Sequence, residues 1–196
     1  MLNMIQITHS YGDQRILDDI SFSFKEKQYL IIGASGIGKS TLLNIAGSII
    51  APQIGSVQNT YQIGYIFQTN NLLADFTIKE NIEIAMHIKK NKDQYSNIAE
   101  ITGITKILNK FPNQISGGEK QRASIARTLA SGCNFILADE PTGNLDPENA
   151  ENIRKLFKLI NQELNLGYIV CSHDYEWKKY TDETLELKKG KLCSSH

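Results

Sequence analysis

From Gln28 to Ile49 the chain reads "QYLIIGASGIGKSTLLNIAGSI". Tyr29 to Ile32 form a short apolar run that predicts a buried strand. A glycine-rich turn follows, and then apolar residues at helical spacing. The turn, "GASGIGKST" from Gly33 to Thr41, satisfies G-x-x-x-x-G-K-[ST] with a strand before it and a helix after it. Gly33, Gly36 and Gly38 allow the backbone to wrap closely round phosphate, with amide groups pointing inward. The helix N-terminus adds positive partial charge. Lys39 is expected to bridge the β- and γ-phosphates of a nucleotide, and Ser40 to offer its hydroxyl to Mg²⁺. Ser35 and Thr41 complete the cradle.

Working outward, "MIQI" and "ISFSF" read as strands, the second with Ile20, Phe22 and Phe24 alternating with serines. "IGYIF" predicts a strand just before Gln68. Between Thr77 and Asn109 the pattern turns helical, with Ile78, Ile82, Ala85 and Met86 on one face. "NQISGGEKQRASIARTLA" places a glycine pair at the start of a helix whose Ile125, Ala126 and Leu129 face a core. "NFILADE" and "GYIVCSHD" are buried strands. Between them, Asp146 and Pro147 read as an N-cap and first helical position, ahead of an apolar stripe of Ile153, Leu156, Phe157, Ile160 and Leu164. "TLELKKGKLCS" reads as a hairpin turning at Gly190. Strands alternating with helices imply an α/β fold with a largely parallel central sheet.

Asp139 and Glu140 stand side by side at the end of a buried run, where like charges repel. A phosphate cradle supplies the reason, because it needs an acid at the end of a neighbouring strand to hold Mg²⁺. Asp139 fits that place. Glu140 is then free to orient and deprotonate the water that attacks the γ-phosphate. Mg²⁺ and a nearby lysine offset the repulsion. Ser172, His173 and Asp174 are no hydrolase triad, since consecutive residues cannot align their side chains in that way.

"ISGGEKQR", Ile115 to Arg122, resembles the signature motif of ABC-type ATPases, and it lies upstream of "ILADEPTGNLD" as in that family. The resemblance covers nearly the whole chain. It implies one P-loop ATPase domain over residues 1–196, with an N-terminal antiparallel β portion and a small helical subdomain at about 70–130. It also implies roles for further residues. Gln68 matches the glutamine loop that contacts Mg²⁺ and the attacking water, Asp146 the D-loop, and Tyr11 the aromatic residue that stacks on adenine. His173 matches the switch histidine that senses the γ-phosphate and orients Glu140. In the family, Ser116, Gly117 and Gly118 of one subunit close over the ATP held by another. A homodimer or heterodimer of ATPase subunits is therefore implied. "DEPTGNLD" is similar to the branch that includes lipoprotein-release, macrolide and antimicrobial-peptide exporters and the cell-division ATPase.

Lysine plus arginine equals aspartate plus glutamate at 21 each, so no net field draws the chain to nucleic acid, and no such partner is expected. Cys133, Cys171 and Cys193 are far apart and show no C-x-x-C pair, which points to reduced thiols in a cytosolic protein. No apolar run approaches the ~18 to 20 residues that span a bilayer. A soluble chain is expected, peripheral at the inner face of the cell membrane through a transmembrane permease subunit. Leu72, Leu73 and Phe76 either rim a groove for that partner or pack inside their own subdomain. His9, His87 and His196 have no partner pattern. The expected activity is Mg-dependent ATP hydrolysis that powers export of a peptide, lipoprotein or drug-like substrate. The alternatives are a cell-division type of mechanical complex and a nucleotide-dependent switch, and Glu140 speaks against the switch.

Overall fold

Parallel strands buried on both faces carry near-continuous apolar runs, and the central strands here do so, as in residues 29–32 and 135–138. The computed structural model describes residues 1–89 and 95–195. A three-stranded antiparallel sheet comprises β1 (Leu2–Tyr11), β2 (Gln14–Phe24) and β4 (Ile54–Asn59), in the order β2-β1-β4. The second sheet has six strands. They are β3 (Gln28–Ile32), β5 (Ile63–Ile66), β6 (Phe135–Asp139), β7 (Gly167–Cys171), β8 (Glu183–Lys188) and β9 (Lys191–Ser194). Their order is β5-β6-β7-β3-β8-β9, parallel except for the final β8–β9 hairpin.

Alternation divides the core in two. Tyr29, Ile31, Phe135, Leu137, Ile169 and Cys171 face α1 (Lys39–Ala46) and the antiparallel sheet. Leu30, Ile32, Ile136, Ala138, Tyr168 and Val170 face the other helices: α2 (Ile78–Lys89), α3 (Tyr95–Ile101), α4 (Gly117–Ala130) and α5 (Pro147–Leu164). Each fully buried aliphatic or aromatic side chain contributes about 1.5–3 kcal/mol relative to exposure. The sheet therefore stabilises the fold from both faces.

The expected strand and helix order holds. β4 is not among the expected strands: it is exposed along nearly its whole length and shows no apolar alternation. Alternation also fails in β1, whose pairing with β2 shifts register between Met4 and Ile7, between Ile7 and His9, and between His9 and Ser10. Ile153, Leu156, Phe157 and Ile160 are buried as the stripe predicts, while Leu164 is only half-buried. Of the three cysteines, Cys133 and Cys171 are buried and Cys193 is exposed. His87 keeps its place in α2 without a described side chain, and His196 lies outside the described residues, as does part of the 70–130 region.

Candidate nucleotide site

Parallel strands end on the same edge of a sheet, and the loops leaving that edge share one crevice. Ile31 of β3 and Asp139 of β6 both lie in register with Cys171 of β7, and Ile66 of β5 pairs with Ala138. The glycine loop, the Asp139–Glu140 pair, the Ser172–His173 pair and Gln68 therefore emerge together. They enclose a cleft of about 330 Å³ lined by Tyr11, Ser35, Gly36, Gly38, Lys39, Ser40, Thr41, Gln68, Asp139, Glu140 and His173, with Ile16 and Gly143 between them.

Gly38 is the tightest point of the loop. Its φ is +113°, and a Cβ there would lie 2.3 Å from Ile16 Cγ2. Only glycine meets both conditions. Gly33 has a different constraint from the one its motif suggests. It does not line the cleft, and a Cβ would lie 2.8 Å from the Leu187 carbonyl oxygen, so strand packing requires it. Helix α1 has no side-chain cap and no acid in its first turn, which leaves its N–H groups open to an anion.

Lys39 is buried, and its Nζ donates to the carbonyl oxygens of Gly33 at 2.9 Å and Ala34 at 3.2 Å. It also lies 3.7 Å from Glu140 Oε1. Glu140 Oε2 accepts from Ser172 Oγ at 3.0 Å and meets His173 Nδ1 at the same distance. The backbone of Glu140 has φ +46° and donates its N–H to the Cys171 carbonyl at 2.8 Å. That backbone sets the carboxylate over the cleft.

Asp139 is buried, and its Oδ1 has no hydrogen-bond partner among the described residues. Burial pushes its pKa above 3.8, partly offset by a hydrogen bond with Ser40, and the neighbouring Glu140 raises it further. An unpartnered carboxylate oxygen beside a hydroxyl suits a hard divalent cation, which takes oxygen ligands. Among the described residues no group of three or more His, Cys, Asp or Glu could hold a metal. Mg²⁺ held through Asp139, Ser40 and phosphate oxygens fits this donor set.

The raised pKa also makes Asp139 a cost to the nucleotide-free fold. The folded state holds the carboxylate less willingly than the unfolded chain does. That penalty is absent below pH 3.8 and present at neutral pH. Asp139→Asn should therefore raise the unfolding temperature at pH 7 without nucleotide, with the gain shrinking in acid. Thermal unfolding checks this, and the same variant should lose Mg-dependent turnover.

Tyr11 reaches the cleft from the end of β1. It is 57% exposed and packs edge-on to His9, with ring centroids 5.0 Å apart, so its face is free to stack. Ser116, Gly117, Gly118 and Asp146 are not among the residues lining the cleft. Ser116 caps α4 in a reciprocal box: its Oγ accepts from the Glu119 N–H, and its N–H donates to Glu119 Oε2. Asp146 caps α5 and also grips the Asn149 side chain at 2.6 Å. A Cβ on Gly118 would lie 2.3 Å from Asn149 Oδ1, so α4 and α5 touch where glycine alone fits.

The matching family model, ABC transporter, covers residues 17–143. This chain belongs to the ABC transporter family. It is an ATP-binding subunit of that class and an ATPase. The ABC subunit is 38% identical to the lipoprotein-releasing system ATP-binding protein LolD of Rickettsia bellii, over 92% of this chain and 90% of that one. Against LolD of Buchnera aphidicola the figure is 34%, over 100% and 97%. A solved dimeric, post-hydrolysis structure of the ATP-binding cassette MJ0796 bound to ADP and Pi matches the ABC subunit with a TM-score of 0.87. The two are 29% identical, and the match covers 98% of this chain and 96% of that one.

In the ABC subunit the loop after Gln68 has both orientations that the sequence left open. Leu72 packs against the core, while Leu73 and Phe76 are each 42% exposed. Buried Asn81 of α2 fixes this loop, accepting from Leu73 N–H at 2.8 Å and donating to the carbonyls of Leu73 and Phe76. Among the described residues no helix is long and apolar enough to cross a membrane. Sequence reasoning missed Ile16, which lines the cleft, and Trp177. The buried Trp177 indole donates to Thr142 Oγ1, tying the loop after Glu140 to the segment after His173. A lone tryptophan in a charged segment was the available signal.

Proposed function

We propose that the chain is the Mg-dependent ATP-hydrolysing subunit of a lipoprotein-releasing type exporter. It works as a head-to-tail pair at the cytoplasmic face of the membrane and drives a transmembrane permease subunit. The observation that carries the reading is the separation of two anion-binding elements in one chain. The glycine loop, Asp139, Glu140 and His173 line one cleft, while Ser116 to Gly118 open α4 elsewhere. A second copy would bring its α4 N-terminus to that cleft. The LolD relatives and the dimeric cassette support both the pairing and the export role.

When bound, Mg²⁺ would neutralise charge on the phosphate oxygens. Lys39 exchanges its contacts with Gly33 and Ala34 for the phosphates, which frees Glu140 Oε1. Glu140 takes a proton from the attacking water as the bond to the γ-phosphorus breaks on its far side. Gln68 orients that water from the cleft wall. Tyr11 stacks on the adenine, and Ser35 and Thr41 complete the cradle. His173 reaches the γ-phosphate, and Asp146 lies at the pair interface. Exposed Leu73 and Phe76 offer the permease an apolar contact.

Ser116 tests the pairing. Its Oγ lone pair caps α4, while its O–H remains free to donate across the interface. Ser116→Ala should cost about 1 kcal/mol of stability through the lost cap. It should also reduce steady-state hydrolysis by about tenfold or more, with ATP affinity of the isolated monomer unchanged. Nucleotide titration and phosphate release measure the two, and an equal loss in both would contradict action across an interface.

A further inference from the structure

Ser172, at the C-terminal end of β7, is fully buried, and its hydroxyl lies 3.0 Å from Glu140 Oε2. We propose that Ser172 is a positioning residue for ATP hydrolysis, holding Oε2 of Glu140 so that Oε1 is the oxygen presented to the attacking water. The inference rests on Glu140 acting as the general base.

A serine hydroxyl has one proton to give. The Asp174 N–H donates to Ser172 Oγ at 3.1 Å and occupies its acceptor side, leaving the proton for the carboxylate. The turn beneath is fixed in its own right. Asp174 Oδ2 is paired with the buried Arg154 of α5 at 2.5 Å, and its Oδ1 accepts the Glu176 N–H at 2.9 Å. Arg154 in turn bridges to Glu151 at 3.1 Å. A strand-end turn alone would account for the Asp174 contact. It gives no reason for the proton to face a carboxylate.

His173 contacts the same Glu140 oxygen, but its side chain is 71% exposed. Its ring is free to turn toward a nucleotide, whereas Ser172 stays where the sheet puts it, with its own N–H on the Ile31 carbonyl at 3.1 Å. Glu140 is thus tethered twice at the end of β7: its backbone to Cys171, the last residue of the strand, and its carboxylate to Ser172, the next residue. The first fixes where the side chain starts, and the second restricts how its carboxylate can turn. A base held in one orientation loses less entropy when it meets its water.

The test uses the full chain and its ATPase activity. Ser172→Ala should lower kcat by about tenfold or more, as expected for a lost hydrogen bond to a charged group. KM for ATP should stay within about twofold, because the hydroxyl touches no substrate. Ser172→Thr, which keeps the hydroxyl, should restore turnover, and Ser172→Cys, close in volume and a weak donor, should fall between the two. In a Glu140→Gln background, Ser172→Ala should change the residual rate by less than about twofold, since the two residues act as one unit. An unchanged kcat in Ser172→Ala, a parallel loss of kcat and ATP affinity with a lowered unfolding temperature, or full additivity with Glu140→Gln would each overturn the proposal. Wild-type turnover in Glu140→Gln alone would remove the general base itself, and Ser172's role with it.

Discussion

Glu140→Gln is expected to lower ATP turnover by about 10²–10⁴-fold, the range for loss of a general base, with ATP still bound. The substitution keeps the size of the side chain and its contact with Ser172 while removing the carboxylate proposed to take the proton. It also removes the negative partner 3.7 Å from Lys39 Nζ. Lys39 is then freer to move to phosphate, so affinity for ATP should hold or rise. With hydrolysis blocked, the loaded pair should accumulate. Size-exclusion chromatography with light scattering at saturating MgATP should show a dimer. A monomer there would count against pairing through the α4 N-terminus.

Lys39→Ala should weaken ATP binding by about 10²–10⁴-fold. Two charge-assisted hydrogen bonds to phosphate are each worth ~1.5–3 kcal/mol, and about 1.4 kcal/mol is tenfold in affinity. The lysine has a second job in the nucleotide-free chain, where it ties down the carbonyls of Gly33 and Ala34. Its loss should therefore also loosen the loop. Calorimetric titration with ATP separates these effects when read beside thermal unfolding without nucleotide. Unchanged affinity would reject the phosphate role.

Much of the site could be read from the sequence because its parts are local. A strand, a glycine turn and a helix carry their own signal within a dozen residues, and the Asp139–Glu140 pair ends a run of unmistakable burial. The parallel order of β5, β6, β7 and β3 then does the assembly, bringing distant loops to one edge. What escaped notice depends on contacts between remote positions. Gly33 is confined by a carbonyl of β8, Gly118 by Asn149 of the next helix, and Gly38 by Ile16 of β2. Ser172 reads in the sequence as one more small residue at a strand end. Its hydrogen bond to a carboxylate 32 positions away has no local mark. β4 escaped for the opposite reason: an exposed edge strand has no buried face to leave a pattern.

The left-handed backbone at Glu140 has a consequence for how such a chain would drift under relaxed selection. A residue with a Cβ is held there against its preference, at a cost of about 1–3 kcal/mol, and glycine would relieve it. A population selected only for an intact, long-lived fold would thus tend to lose its acid at this position early, and the survivors would outlast the ancestor on heating.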